Sequence, residues 1–333
     1  MPLVLSHGQA KSGSSFLFQS AMLACETENG MSQKQLREAF FPKSYSQGNY
    51  LDVLTDDDVL RLLEYVPAGK YYTIKTHDRL TNSIRSKIEA GKIMAFTSIR
   101  DPRDMAISML DAGERDRDRK ANNLFTTLHD LQGTLVHVKH GVARTSEWMS
   151  CQNVAVFPYY LTAANQDAAI THLLDHIGLS HHAAKVMRRF GHEKPQRIWQ
   201  FHKGTPDRFL DDISRKQVSR LTEQLALEID LIDAEAEKWM NQFGYRELYV
   251  KLRDRRDERL RMLAEIDQQD EQVKQETKVA MKSSEDFDTP EEIQALEKEV
   301  HVLELLARRA EARLRKLAAE RDHRSLKEQP QET

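Results

Sequence analysis

Short apolar runs alternate with longer amphipathic stretches along roughly the first 245 residues of the chain. Residues 3–7 (Leu-Val-Leu-Ser-His) read as a short buried strand. Residues 71–75 (Tyr-Tyr-Thr-Ile-Lys) are aromatic and β-branched and predict a second strand. Residues 93–99 (Ile-Met-Ala-Phe-Thr-Ser-Ile) are apolar nearly throughout, as expected of a central parallel strand covered on both faces. A fourth strand is expected at 153–157. Helical patterns fill the intervals, over 16–23, 56–65, 120–150, 166–178 and 214–243. A further helix starts at Asp101-Pro102, where Asp suits the N-cap and Pro the first helical position. Strand and helix in alternation predict a three-layer α/β domain with a mainly parallel sheet over residues 1–245.

From Arg246 onward the pattern changes. Breakers almost vanish and the charge becomes dense and mixed from Arg246 to about Lys282, and again from Pro290 to Leu326. Ile293, Leu296, Val300, Leu303, Ala307, Ala310, Leu314 and Leu317 follow a 3-4-3-4 spacing, which is a heptad seam. Polar residues 283–290 read as a turn between the two stretches. Residues 246–333 therefore predict a long C-terminal helical hairpin or a coiled coil between chains. In the second case residues 246–326 form the surface for a homo-oligomer or a protein partner.

Composition adds exclusions more than assignments. The 333 residues carry a formal net charge of -3, which argues against a nucleic-acid partner. Two cysteines, Cys25 and Cys151, in apolar surroundings give neither a disulfide framework nor a zinc set, and predict buried free thiols. The apolar start is too short for a signal peptide, and no run of about 18 apolar residues follows, so the expectation is a cytoplasmic protein with no membrane partner.

Candidate chemistry gathers at the predicted strand ends. After the first strand comes Gly8-Gln9-Ala10-Lys11-Ser12-Gly13-Ser14-Ser15, then a helix opening on Phe16. Strand, small-residue loop and helix N-terminus together make an anion site, because unpaired N–H groups and the helix dipole face the ligand. The Gly8 to Gly13 spacing is that of a P-loop, but Ser14 stands where a nucleoside triphosphatase carries its lysine, and the lysine sits inside the loop at Lys11. The second segment is Lys75-Thr76-His77-Asp78, at a strand end where ligands bind in parallel sheets. The third is Arg100-Asp101-Pro102-Arg103-Asp104-Met105-Ala106-Ile107-Ser108, where an arginine fork and a hydroxyl two turns into a helix can grip one phosphate. The fourth is Phe201-His202-Lys203-Gly204.

These four segments, in this order, resemble those of the sulfotransferases that use 3′-phosphoadenosine 5′-phosphosulfate (PAPS). Lys11 to Leu17 is similar to the family's phosphosulfate loop, Lys75 to His77 to its catalytic-base element, and Arg100 to Ser108 to its 3′-phosphate element. Residues 202–204 resemble its Arg-Lys-Gly loop, with His202 in place of the arginine. The resemblance implies a P-loop-like fold, PAPS as co-substrate, adenosine 3′,5′-bisphosphate as product, and no metal. It implies that His77 takes the acceptor's proton, with Lys11 and Lys75 steadying the charge of the transferring group. Ser12, Gly13, Ser14 and Ser15 would hold the 5′-phosphate, and Phe16 would stack on adenine or pack in the core. Arg100, Ser108, His202, Lys203 and Gly204 would bind the 3′-phosphate. After the fourth strand the family's acidic residue is missing from Pro158-Tyr159-Tyr160-Leu161, which leaves Tyr159 a weak candidate.

The acceptor is read as a hydroxyl or amine of a carbohydrate or small molecule, with residues 30–65 and 110–150 shaping its pocket. Two rival readings stay open: a P-loop kinase, and a non-catalytic coiled-coil scaffold. His172, His176, His181 and His182 lack the intervening glutamate of a zincin and read as a solvated or core cluster rather than a metal site. Residues 113–120 alternate in sign and read as a mobile surface loop over the acceptor.

Overall fold

The computed structural model describes residues 3–43, 49–192, 205–283 and 298. Among these residues five strands appear, β1 Leu3–His7, β2 Tyr50–Leu51, β3 Tyr72–Thr76, β4 Ile93–Ile99 and β5 Val154–Pro158. The helices are α1 Ser14–Asn29, α2 Gln33–Phe40, α3 Asp56–Tyr65, α4 Asn82–Glu89, α5 Pro102–Asp118, α6 Leu131–Met149 and α7 Tyr159–Ala164. They continue with α8 Gln166–His176, α9 Ala183–His192, α10 Phe209–Asp212, α11 Arg215–Gln224, α12 Ala226–Gln242 and α13 Arg246–Ser283. The sheet runs β2-β3-β1-β4-β5 and every pairing is parallel.

Because side chains alternate along a strand, the sheet has two apolar faces. Leu3, Leu5, Ile74, Ile93 and Ala95 join Leu36 of α2, Val59 and Leu62 of α3 and Ile84 and Ile88 of α4 in one core. Val4, Phe96, Ala155 and Phe157 join α1, α5, α8 and α12 in the other. The fold is thus a three-layer α/β sandwich, as the alternating pattern predicts. Cys25 and Cys151 are buried free thiols, one in each core.

Caps set the helix boundaries. Ser32, Thr55 and Ser214 each close a capping box with the residue three positions on. Asp101 caps α5 by accepting from the Arg103 N–H, with Pro102 in the first turn.

Three expectations change. The helix expected over 120–150 begins only at Leu131, because Asp130 accepts from the Gly133 N–H and starts it there; residues 124–127 form a separate 3-10 turn. The helix expected over 214–243 is two, α11 and α12, turning at the fully buried Leu225. Residues 113–118 are the last turns of α5 rather than a loop. A Cβ on Gly113 would collide with the Phe125 carbonyl, and Arg117 donates to the carbonyls of Thr126 and Leu128 at 3.2 and 2.7 Å. Close packing explains the helix where alternating charge alone suggested solvent.

The chain divides into two compact units, Met1–Arg256 and Asp257–Thr333. Tyr249 and Arg256 of α13 belong to the first and are buried there. The heptad seam and residues 201–204 lie outside the described residues.

Candidate active site

In open parallel sheets ligands bind beyond the carboxyl ends of strands whose following helices cover opposite faces. β1 is followed by α1 on one face, and β3 by α4 on the other. The crevice between β1 and β3, which pair with His7 opposite Thr76, is therefore the expected site. Loop 8–13 and His77 open into it.

The loop backbone is unusual in ways that suit an anion. Lys11 has φ +70° and Gly13 φ +88°, both in the left-handed region that costs a non-glycine residue about 1–2 kcal/mol. Gly13 is the N-cap of α1 and supplies no side-chain cap; of the first-turn N–H groups, that of Phe16 donates to the Gly13 carbonyl at 3.0 Å. Gly8 is required by close approach: a Cβ there would meet Ser98 Oγ, and Ser14 Cβ at 2.5 Å. Ser12 pins the turn, donating to the Gln9 carbonyl at 2.7 Å and sharing a 2.6 Å hydrogen bond with Ser98 Oγ.

Two lysines face this turn. Lys75 is 8% exposed, and its Nζ donates to Ser15 Oγ at 2.8 Å. Lys11 Nζ sits over the Phe125 ring, 4.3 Å from its centre. Burial brings Lys75 down to about 8, helped by the charge of Lys11. Burial likewise brings Lys11 to about 8, with Arg115 adding to the effect and Asp116 and Asp111 opposing it. Neither ammonium has an ion pair with a carboxylate among the described residues. Two desolvated cations beside an uncapped helix N-terminus are an unsatisfied demand for negative charge.

His77 stands at the same rim. Its Nδ1 lies against the Gly8 carbonyl, and a carbonyl only accepts, so Nδ1 carries the proton and Nε2 keeps its lone pair. Tyr50 meets the ring edge-on, with centroids 5.5 Å apart. Burial lowers His77 to about 4, and the neighbouring Lys75 charge pushes the same way. The imidazole is thus neutral at physiological pH. Sequence reasoning missed the neighbours of this segment: Trp148 Nε1 donates to the Asp78 carbonyl at 3.0 Å, and His7 stacks on Trp148 at 4.7 Å and shares a 2.8 Å hydrogen bond with Thr97 Oγ1.

Arg100, at the end of β4, is 6% exposed. It pairs with Asp104 at 3.1 Å and donates to the carbonyls of Lys11 and Thr205 at 3.2 and 3.1 Å. Its guanidinium lies 4.1 Å from the centre of the Tyr159 ring. Tyr159 also backs the loop, since a Cβ on Gly13 would stand 2.9 Å from its Cδ2. Ser108 is half-buried in α5 and makes no hydrogen bond to Arg100. Phe16 is 7% exposed and packs on Phe190, centroids 5.3 Å apart. The structure thus brings together the loop, Lys11, Lys75, Ser15, His77 and Arg100. His202, Lys203 and Gly204 lie outside the described residues.

Asp104 is the residue the motif underplayed. One of its oxygens takes Arg100 and the Asp207 N–H, and the other takes the Phe209 N–H. It therefore ties segment 100–108 to the chain that follows residue 204. Its spacing of four from Arg100 was the available signal.

A groove of about 1320 Å³ lies elsewhere, beside Met94, Val154, His172, Trp239 and Phe243 at the amino ends of β4 and β5. His172 stacks on Phe243, and His176 Nε2 is 2.8 Å from the Ala95 carbonyl, so these two histidines are packing residues.

Comparison with known proteins gives structures and no sequence relatives. No family model matches the chain, and no curated protein does. A mouse sulfotransferase, SULT7A1, complexed with PAP is 12% identical over 70% of this chain and 86% of its own, with a TM-score of 0.44. A retinol dehydratase in complex with retinol and PAP is 15% identical over 68% of this chain and 81% of its own, with a TM-score of 0.42. A retinol dehydratase with androsterone and PAP is 16% identical over 67% of this chain and 80% of its own, with a TM-score of 0.39. No helix among the described residues is long and apolar enough to cross a membrane.

Proposed function

We propose that the chain is a sulfotransferase that moves a sulfuryl group from PAPS to a hydroxyl or amine of a small-molecule or carbohydrate acceptor. The observation that carries this reading is the pair of ammonium groups, on buried Lys75 and half-buried Lys11, facing a helix N-terminus with no side-chain cap beside a neutral histidine. That donor set fits a multiply charged anion next to a proton acceptor. The order and spacing of the motifs select a sulfotransferase from among anion-binding folds.

When bound, PAPS supplies an activated sulfuryl group and a phosphate leaving group. Lys11 and the N–H groups at the start of α1 offset negative charge at the leaving phosphate, while Ser14 and Ser15 orient it. Lys75, held by Ser15, steadies the sulfuryl oxygens. His77 Nε2 takes the acceptor's proton, its ring fixed by the Gly8 carbonyl behind Nδ1. Burial is the main cause of the low His77 value; negative charge beside Lys75 and Lys11 offsets the smaller part that their repulsion adds, so the imidazole becomes a stronger base when the site is filled. Arg100, with Ser108 and Lys203 nearby in the motif order, selects a 3′-phosphate and thus PAPS over ATP.

The test is turnover with labelled PAPS across a panel of phenols, alcohols, amines and sugars. The wild type transfers label to at least one class, and His77→Ala lowers kcat by about 10²- to 10⁴-fold. Label transfer that is unchanged in His77→Ala, or hydrolysis of ATP–magnesium in place of sulfuryl transfer, would contradict the reading.

A further inference from the structure

A second cluster of chemistry lies at the other end of α1. Helix α1 ends at Gly30 with φ +65°, and α8 is followed by Gly178 with φ +72°. These two left-handed turns end their helices at adjoining places. Leu179, 1% exposed, anchors the second, and the 3-10 turn Ser180–His182 follows it. The result sets two consecutive histidines against the last turn of α1. His181 Nε2 and His182 Nε2 lie 2.9 and 2.7 Å from one oxygen of Glu28, Oε2, and the two rings are 4.1 Å apart.

We propose that Glu28, His181 and His182 form a three-ligand site for a divalent transition ion of the zinc type, separate from the phosphosulfate loop.

The geometry supports an ion better than a simple ion pair. One imidazole is enough to pair a carboxylate, and an exposed pair is worth only about 0–1 kcal/mol. Here two ring nitrogens from consecutive residues converge on the same oxygen, and all three ligand atoms lie within 4.8 Å of one another. Tetrahedral zinc, with bonds of about 2.0–2.1 Å, holds its ligands about 3.3 Å apart. The observed nitrogen-to-oxygen spacings need to open by only about half an ångström, within reach of small side-chain rotations.

The chemistry also selects the ion. Two imidazoles and one carboxylate suit Zn²⁺, Co²⁺, Ni²⁺ or Cu²⁺, whereas Mg²⁺ and Ca²⁺ prefer all-oxygen sets. The side chains of His181 and Glu28 are 59% and 34% exposed, which leaves an entry path and a position for water. Glu28 lies about 21 Å along α1 from Ser14, so the ion would act on packing and not on the transferred group. It would staple α1 to the turn that leads into α9, whose Phe190 packs on Phe16.

The experiment uses the full chain without an affinity tag, stripped of metal. Zinc is titrated in competition with a chromophoric chelator, and Co²⁺ is added separately for its visible absorption. One tight equivalent is expected, with a tetrahedral or five-coordinate cobalt spectrum. His181→Ala, His182→Ala and Glu28→Gln should each weaken binding by about thirtyfold or more, because one of three bonds is lost. His140→Ala, at an exposed histidine elsewhere, should change affinity by less than about twofold. Zinc should raise Tm in the wild type and not in His181→Ala, whose exposed position makes misfolding a poor explanation. Zinc binding within about threefold of wild type in all three variants, or several equivalents spread over the chain's 13 histidines, would overturn the proposal.

Discussion

Replacing Asp104 by asparagine removes one charge and changes one atom, yet the structure predicts a large cost. The carboxylate is 1% exposed and every partner it meets is a donor. Oδ2 accepts from Arg100 Nε and Nη2 at 3.3 and 3.1 Å and from the Asp207 N–H at 2.9 Å. Oδ1 accepts from the Phe209 N–H at 3.2 Å. Burial raises this carboxyl's affinity for a proton, and Arg100 opposes the rise. An asparagine has one oxygen and one NH₂ group. With its oxygen at the Oδ2 position, the NH₂ confronts the Phe209 N–H. Flipped, the NH₂ confronts Arg100 and Asp207.

Either way a buried donor loses its acceptor, at about 1–3 kcal/mol. Arg100 also loses its counter-charge, and breaking a buried pair costs about 3–5 kcal/mol. The carbonyls of Lys11 and Thr205 and the Tyr159 ring still hold Arg100, which places the total near the lower end, about 3 kcal/mol. Equilibrium urea unfolding at pH 7.5 measures this directly. The midpoint should fall at unchanged slope. A loss below about 1 kcal/mol would refute the claim that Asp104 organises the segment, because one unmet donor already exceeds that value.

Other outcomes follow from the titrating groups. Lys11 and Lys75 each lose a proton near 8, so affinity for adenosine 3′,5′-bisphosphate should fall as pH rises above 8. In Lys75→Met the affinity should be lower at pH 7 and its decline with pH shallower, as read by titration at pH 6.5, 7.5 and 8.5. Burial raises Asp207 to about 7, with Asp104 and Asp101 adding to it. A folded-state value above the unfolded one means stability is fully present below the unfolded pKa and is lost as pH rises through about 7. Asp207→Asn should therefore flatten the fall in unfolding free energy between pH 5 and pH 8, while keeping an acceptor for the Tyr160 hydroxyl. Arg256→Met should lower stability, because it leaves Asp233, now paired at 2.6 Å, without its cation; thermal unfolding reads the loss.

Much of this was legible in the chain. Apolar runs of strand length placed β1 and β4 to the residue, since buried central strands have little room for other patterns. Edge strand β2 is only Tyr50–Leu51 and has no periodicity to read. Helices α2 and α4 are eight residues each, too short for their apolar stripes to stand out. Lys11, His77 and Arg100 were visible because their chemistry sits in local motifs. Asp104 was visible only as spacing, and Tyr159 only as a departure from a pattern. Arg256 was hidden altogether. It stands in a stretch dense in charge, where an arginine reads as solvated. Only the fold carries it to Asp233, at 2.6 Å, and to Asp101, the cap of α5, at 3.6 Å. Glu28 and the two histidines are some 150 positions apart, so their meeting is likewise a property of packing.

The central claim is that this crevice binds a 3′-phosphorylated adenosine nucleotide. Calorimetric titration of the full chain with adenosine 3′,5′-bisphosphate, beside 5′-AMP and ATP–magnesium, tests it most directly. The account predicts saturable binding that needs the 3′-phosphate and weakens by about tenfold or more in Arg100→Ala, a loss of one charge-assisted fork. Equal affinity for 5′-AMP, a preference for ATP–magnesium, or no heat at all would contradict it.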